Sequence, residues 1–268
     1  VAQWIRARSG GQCQLVHMGR PWSAPEKYQL VISTPQYFLE PGPEVLMNRL
    51  PLHNFQPDSL TVNGTEFEAE HSSLPRPWTT VLVGGNSGKY VFTEDTGRQL
   101  GRQIQELQGK YGGSVLLSNS ARTPVPTWLA LLNEISAPHF AYDCCLPAED
   151  NPYRGMLACA DRFVVTGESM SMLGEACAMG KPVHIYDPAS SHSSRFSPHA
   201  FGVKPLSHRL AMLLAPKRMR RDVGRIQTSL IDAGLANILG EKEVLPAAAK
   251  RFGNPELKIS ADRVRDLF

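Results

Sequence analysis

The stretch that most constrains the fold is Arg162 to Asp187, R-F-V-V-T-G-E-S-M-S-M-L-G-E-A-C-A-M-G-K-P-V-H-I-Y-D. Phe163, Val164 and Val165 make a short apolar run of the kind that forms a strand buried on both faces, and Thr166-Gly167 ends it. A helix is predicted from about Ser169. Leu173, Ala176, Cys177 and Gly180 fall at helical spacing and give it a narrow apolar face of small side chains. Gly180 is the expected left-handed C-cap, Pro182 forbids continuation, and a second strand runs up to Asp187. Strand, turn, helix, stop and strand follow without a gap, so the stretch is one βαβ unit.

The start of that helix is where chemistry is expected. A helix start leaves backbone N–H groups unpaired and carries partial positive charge, so Thr166, Gly167, Glu168, Ser169 and Ser171 suit a phosphate held by amides and hydroxyls. Ser171 and Glu175 lie roughly opposite the packed face and are candidates to line a cleft. The alternative is that Ser169 simply caps the helix and Glu175 is solvated.

The flanking sequence repeats the pattern. Strands are predicted at Thr79 to Val83, Ser114 to Leu117 and Phe140 to Tyr142, and helices at Glu94 to Lys110, Thr127 to Ile135 and Tyr153 to Ala160. Strands alternating with helices imply a parallel sheet covered on both faces, with ligands at the carboxyl ends of the strands. Three further loops share that edge. Gly84-Gly85-Asn86-Ser87-Gly88-Lys89 lets backbone amides approach an anion, although it has neither Walker A nor G-x-G-x-x-G spacing. Ser120, Arg122 and Thr123 precede a proline-started helix and suit a phosphate or carboxylate, the alternative being a capped helix with a solvated Arg. Asn151 and Tyr153 follow the third strand, where the ring is placed to stack on a base or sugar.

The rest is less regular. Residues 3 to 9 read as a helix ended by Gly10-Gly11, followed by strands at Gln14 to Met18, Tyr28 to Ser33 and Val45 to Met47. The chain opens V-A-Q-W-I-R, already helical in pattern, and the expectation is an α/β unit whose opening strands belong to a longer protein. Pro51 to Pro77 reads as a linker, with His53 and His71 near or within it, candidates to face an interdomain cleft but more often simply exposed residues. Beyond Asp187 come a polar loop with His192 and His199, a helix at Leu206 to Leu214, a second at Pro216 to Leu235, and a short amphipathic helix at Ala261 to Phe268. Lys217, Arg218, Arg220, Arg221 and Arg225 form a basic cluster on the second of these, usually a solvated face but at a cleft an attractor for an anionic ligand.

Composition narrows the function classes. A net charge of +3 is too small to imply nucleic acid, and no apolar run reaches the ~20 residues of a membrane helix. Five cysteines without metal-type spacing suit reduced thiols in a cytoplasmic setting, and neither a metal nor a cofactor is implied.

The ordered set G-G-N-S-x-K-Y at 84 to 90, S-A-R-T-P at 120 to 124, N-P-Y-R-G at 151 to 155 and T-G-E-S-x-S-M-x-x-E-A-x-A-x-G-K-P at 166 to 182 resembles the mitochondrial-fission ELM family, in the manner of a bacterial-type member. The resemblance runs from about Gly11, through G-R-P at 19 to 21, to R-M-R-R-D-V. It departs from the family pattern at Glu168, where Asp is usual, and at Ala121, where a second Arg is usual. The family in turn resembles the GT-B glycosyltransferases, two Rossmann-like domains facing each other across a cleft.

That resemblance implies an incomplete first domain with linker at 1–75, a nucleotide-binding domain at 76–235 and a helical tail at 236–268 packing back on the first. It implies a nucleotide diphosphate sugar as partner, with Gly84, Gly85, Ser169 and Ser171 at the diphosphate, Lys89 and Arg122 as cations and Glu175 at the ribose. A glycosyltransferase is the implied activity, with no catalytic base assigned. The alternative it implies is a non-catalytic scaffold that recruits a partner protein, as plant relatives are thought to recruit a dynamin-like division protein. A nucleotide-sugar epimerase is disfavoured, since neither a Rossmann fingerprint nor a Tyr-x-x-x-Lys pair is present.

Overall fold

Two all-parallel sheets organise the chain in a computed structural model that describes residues 1–53, 60–88, 90–146, 151–188, 213–214, 216, 220–241 and 255–268. The first follows helix α1 (Ala2–Arg8) and has three strands, β1 (Val16–Met18), β2 (Leu30–Ser33) and β3 (Val45–Met47), paired in chain order. Its register sets Val16 beside Leu30 and Val31 beside Val45. Gly10 and Gly11 end α1 in the left-handed region, as expected.

The second sheet carries the core. After helix α2 (Thr61–Glu70) the order is β4 (Trp78–Leu82), α3 (Glu94–Tyr111), β5 (Ser114–Ser118), α4 (Val125–Leu132), β6 (His139–Tyr142), α5 (Tyr153–Cys159), β7 (Arg162–Thr166), α6 (Met170–Ala178) and β8 (Val183–Tyr186). Then come α7 (Gly224–Asp232), a two-residue strand β9 (Asn237–Ile238) and α8 (Pro255–Arg265). The strands lie β6-β5-β4-β7-β8-β9. The chain therefore runs outward from β4 to β6, then returns to the other side of β4 and continues outward, the doubly wound arrangement. Every residue of β4, β5 and β8 is buried, polar Thr79, Thr80, Ser114, Ser118 and His184 included, whereas the edge strand β6 is half-open. The expected α/β class is what the chain adopts, with β9 a sixth strand too short to leave a sequence signal.

Four expectations are corrected. The segment read as a linker contains α2, which lacks a clear apolar stripe but packs on α5 through small contacts. A Cβ on Gly155 would stand 2.5 Å from the Cβ of Phe67, so the two helices meet where a larger residue has no room. Phe67 is buried edge-on to Trp78 and Phe140, and His71 stacks on it at 4.1 Å rather than standing in solvent.

The helix expected from Pro216 begins only at Gly224, because Asp222 Oδ1 accepts the Gly224 N–H and starts it there. Ahead of it the backbone reaches the first unit: Asp222 N–H donates to the Gln36 carbonyl at 2.9 Å and Arg221 Nε to Gln36 Oε1 at 2.7 Å. Arg225 stacks over Phe38 at 4.6 Å, so these members of the basic cluster hold the two units together. Lys217, Arg218, His192, His199 and the start of the Leu206 to Leu214 helix lie outside the described residues. The last helix starts earlier than expected, at Pro255, because the Glu256 carboxylate accepts the N–H groups of Arg49 and Leu50. Ser260 meets Asn48 at 3.0 Å, and α8 thereby packs on the first sheet.

Candidate functional site

The sheet order reverses between β4 and β7, and ligands of doubly wound sheets sit at the strand carboxyl ends at that point. The residues there are Gly84-Gly85 after β4 and Thr166 to Ser169 after β7. They are in direct contact. Glu168, only 2% exposed, turns its carboxylate back over the glycine loop. Gly85 N–H donates to Glu168 Oε1 at 2.7 Å, Thr166 Oγ1 donates to the same oxygen at 3.4 Å, and Gly84 N–H donates to Thr166 Oγ1 at 2.8 Å. A Cβ on Gly84 would lie 1.8 Å from Glu168 Oε1, so the absence of a side chain there makes room for the carboxylate.

The loop after β5 closes the other wall. Thr123 Oγ1 donates to the carbonyls of Val83 and Gly84, and Ser120 N–H donates to Thr123 Oγ1 at 3.0 Å. A Cβ on Gly85 would stand 2.0 Å from the Arg122 carbonyl oxygen. The loop after β4 is thus clasped between Thr123 and Glu168, with the Arg122 side chain exposed beside it. Burial raises the Glu168 carboxyl to about 7, against the lowering effects of the Thr166 and Gly85 hydrogen bonds and the Arg122 charge. Its Oε2 is buried with no hydrogen-bond partner among the described residues.

The remaining predicted residues form a second group. Asn151 Oδ1 accepts the Tyr153 N–H, and the Tyr153 hydroxyl donates to Glu175 Oε2 in a hydrogen bond that joins α5 to α6. Burial raises the Tyr153 pKa, and the Glu175 charge adds to the shift. Burial also raises the Glu175 carboxyl, against the lowering effect of Tyr153. Ser171 is exposed on α6, whereas Gly174 faces His53, whose ring would lie 3.3 Å from a Cβ there. Ser169 stands at the N-cap position of α6 without accepting a helix amide through its side chain, so the simple capping role does not describe it. Asn86 Oδ1 accepts the Phe92 N–H, and Ser87 and Tyr90 exchange backbone hydrogen bonds around a turn. Lys89 lies outside the described residues.

The resemblance implied a cleft between two domains, but of the residues that line the cavity seen here only Arg225 had been singled out. A space of about 760 Å³ is lined by Pro35 and Arg49 of the first unit and by Tyr90, Asp187, Arg225 and Gln227 of the second, among others. Gln227 connects it to the switch point: its buried amide donates to the Gly167 carbonyl at 2.8 Å and to the Tyr90 hydroxyl at 3.3 Å. Tyr90 closes the quoted G-G-N-S-x-K-Y motif, which was its only signal. Arg49 and Gln227 come from segments whose local pattern carries none.

A profile of the family described as Mitochondrial fission ELM1 matches residues 1–206 of the 268. The chain belongs to this family. Within the mitochondrial fission ELM1 family, it is similar to the mitochondrial fission protein of Arabidopsis thaliana, 30% identical over 145 residues that make up 54% of this chain and 34% of that one. An uncharacterized protein of Rickettsia prowazekii is 31% identical over 128 residues, 46% of this chain and 35% of that one. The matched stretch spans about a third of the length of these curated relatives.

Solved structures similar to this ELM1-family chain include a glycosyltransferase from Rickettsia africae, at 11% identity and TM-score 0.43, covering 97% of this chain and 73% of that one. Another is a UDP-GlcNAc 2-epimerase from Neisseria meningitidis bound to UDP-GlcNAc, at 15% identity and TM-score 0.44, covering 98% and 72%. Among the described residues of the chain, no helix is long and apolar enough to cross a membrane.

Proposed function

We propose that the chain binds a nucleoside diphosphate sugar between its two α/β units, in the GT-B-like arrangement its family resemblance implies, and transfers the sugar to an acceptor. The observation that carries the reading is the convergence of Gly84-Gly85 and Thr166 to Ser169 at the sheet's switch point, linked through Gln227 to a polar cavity walled by both units. In this reading the diphosphate meets the glycine loop, Ser169 and Ser171, with Arg122 and Lys89 as counter-charges. Glu175, oriented by Tyr153, accepts the ribose hydroxyls. Amides and cations at the diphosphate also stabilise it as a leaving group. The acceptor's base is not assigned.

Glu168 sets a condition on this chemistry. Its carboxylate stands on the Gly85 amide where a phosphate oxygen would stand, so donor binding exchanges one anion for another. The same contact favours a second reading: a strand end already closed by its own carboxylate serves a scaffold whose partner is a protein. A thermal-shift panel of nucleoside diphosphates and their sugars separates the two, because a ligand at 100 times its Kd stabilises the folded state by about 2.7 kcal/mol. The donor reading expects one nucleotide family to raise the midpoint, the rise to vanish in Glu175→Ala, and to grow in Glu168→Asp, whose shorter side chain withdraws from the amide. No shift anywhere in the panel overturns the donor reading and leaves the scaffold. Given a shift, release of free sugar or its transfer to an acceptor identifies the enzyme.

A further inference from the structure

We propose that Asp143, Cys144 and Cys145, in the turn at the carboxyl end of β6, form a binding site for a thiophilic divalent cation of the zinc type. The cysteine doublet has no metal-type spacing in sequence, yet the fold brings one ligand atom from each of the three residues within 4.8 Å of the others. The two sulfurs lie 3.9 Å apart. Two thiolates on a tetrahedral zinc ion, at the usual Zn–S length of about 2.3 Å, are separated by about 3.8 Å. A disulfide needs about 2.05 Å, and both cysteines are free thiols. The pair therefore already has the separation of a chelate.

The turn is held from outside by Asn119, at the end of β5. Asn119 Nδ2 donates to Asp143 Oδ1 at 2.9 Å, and Asn119 Oδ1 accepts the Cys144 N–H at 2.8 Å. Cys145 N–H donates to the same Asp143 oxygen at 2.9 Å, so two donors fix the orientation of the carboxylate. A side chain that fixes a ligand carboxylate and the backbone of a ligand cysteine is the kind of support that metal sites need. Asp143 and Cys144 are half-buried and Cys145 is exposed, so the fourth tetrahedral position opens to solvent, where water completes it.

Binding forms two sulfur–metal bonds and one oxygen–metal bond, and the two thiol protons leave to solvent.

The test is a cadmium titration of the full chain, oxygen-free and under a phosphine reductant, read by thiolate-to-cadmium charge-transfer absorbance and followed by zinc competition. One equivalent is expected, with about two protons released per ion at neutral pH. The signal is lost in Cys144→Ser/Cys145→Ser and kept in Cys13→Ser. Asp143→Ala weakens binding about ten-fold or more while the far-ultraviolet spectrum stays unchanged. A signal that survives the double substitution, an Asp143→Ala variant of unchanged affinity, or no signal from the unsubstituted chain overturns the site.

Discussion

Glu168 Oε1 accepts the Gly85 N–H at 2.7 Å, which places a buried carboxylate of β7's loop on a backbone amide of β4's loop. An isolated buried carboxylate is costly, and here one oxygen is compensated while the other has no hydrogen-bond partner among the described residues. The imbalance explains why burial dominates its titration and carries the carboxyl from 4.5 to about 7.

The sign of the pH effect follows. Between 4.5 and about 7 the folded chain holds a proton at Glu168 that the unfolded chain has released, so this group makes stability fall as pH rises through that window. The full effect is about 3 kcal/mol, at roughly 1.4 kcal/mol per pKa unit. Glu168→Gln retains an acceptor for Gly85 and cannot ionise. Urea midpoints measured from pH 4 to 8 are expected to show a flatter profile for the variant, the difference between the two proteins developing between 4.5 and about 7.

The two glycines beneath that carboxylate are expected to behave differently. Alanine at Gly84 meets the end of a side chain, Glu168 Oε1 at 1.8 Å, whereas alanine at Gly85 meets backbone, the Arg122 carbonyl oxygen at 2.0 Å. Removing the carboxylate relieves only the first. Gly84→Ala is expected to cost about 2 kcal/mol and Gly85→Ala about 3 kcal/mol or more, as overpacking and backbone strain do. In Glu168→Ala, the Gly84→Ala penalty is expected to fall by at least about 1 kcal/mol and the Gly85→Ala penalty to stand. A double-mutant cycle by chemical denaturation measures both, and equal rescue at the two positions contradicts the geometry.

How much of this was legible in the sequence depends on which interactions are local. The βαβ unit from Arg162 to Asp187 was readable because Phe163 to Val165 is an unbroken apolar run and Gly180 and Pro182 punctuate its helix. The strand-end rule likewise picked out Gly84, Gly85, Thr123 and Thr166 to Ser169, which do converge. Helix α2 was hidden because its stability lies in the contacts of Phe67 and Gly155 rather than in its own periodicity. The late start of α7 depends on Asp222 and Gln36, which are far apart in the chain. The direction of the Glu168 side chain was hidden for the same reason: it is set by an absent Cβ more than eighty residues away, at Gly84.

Tyr153 and Glu175 give a third prediction. Tyr153→Phe removes the hydroxyl that donates to Glu175 Oε2 and leaves a half-buried carboxylate without that donor. A hydrogen bond to a charged group is worth about 1.5–3 kcal/mol, so a loss near the lower figure is expected at neutral pH. With the lowering influence of the hydroxyl gone, the Glu175 carboxyl rises further, and the variant recovers part of the deficit in acid as the carboxyl takes up its proton. Denaturation at pH 5 and pH 8 checks this, and a deficit independent of pH means that lost packing, not the carboxylate, is responsible.

Gln227 separates the stability of the switch point from its use. Its amide satisfies the Gly167 carbonyl and meets the Tyr90 hydroxyl, both buried, while the residue also lines the cavity. Gln227→Met keeps the volume and removes the donor, leaving the Gly167 carbonyl without it at a cost of about 1–3 kcal/mol. The loop after β7 is thereby loosened at the residue just before Glu168. Amide hydrogen exchange is expected to speed up over Gly167 to Ser169 and at Gly85, whose N–H is protected by Glu168, while β4 and β5 keep their protection. A ligand seated on the glycine loop restores protection at those same amides, so one exchange map reports both the coupling and the use of that loop.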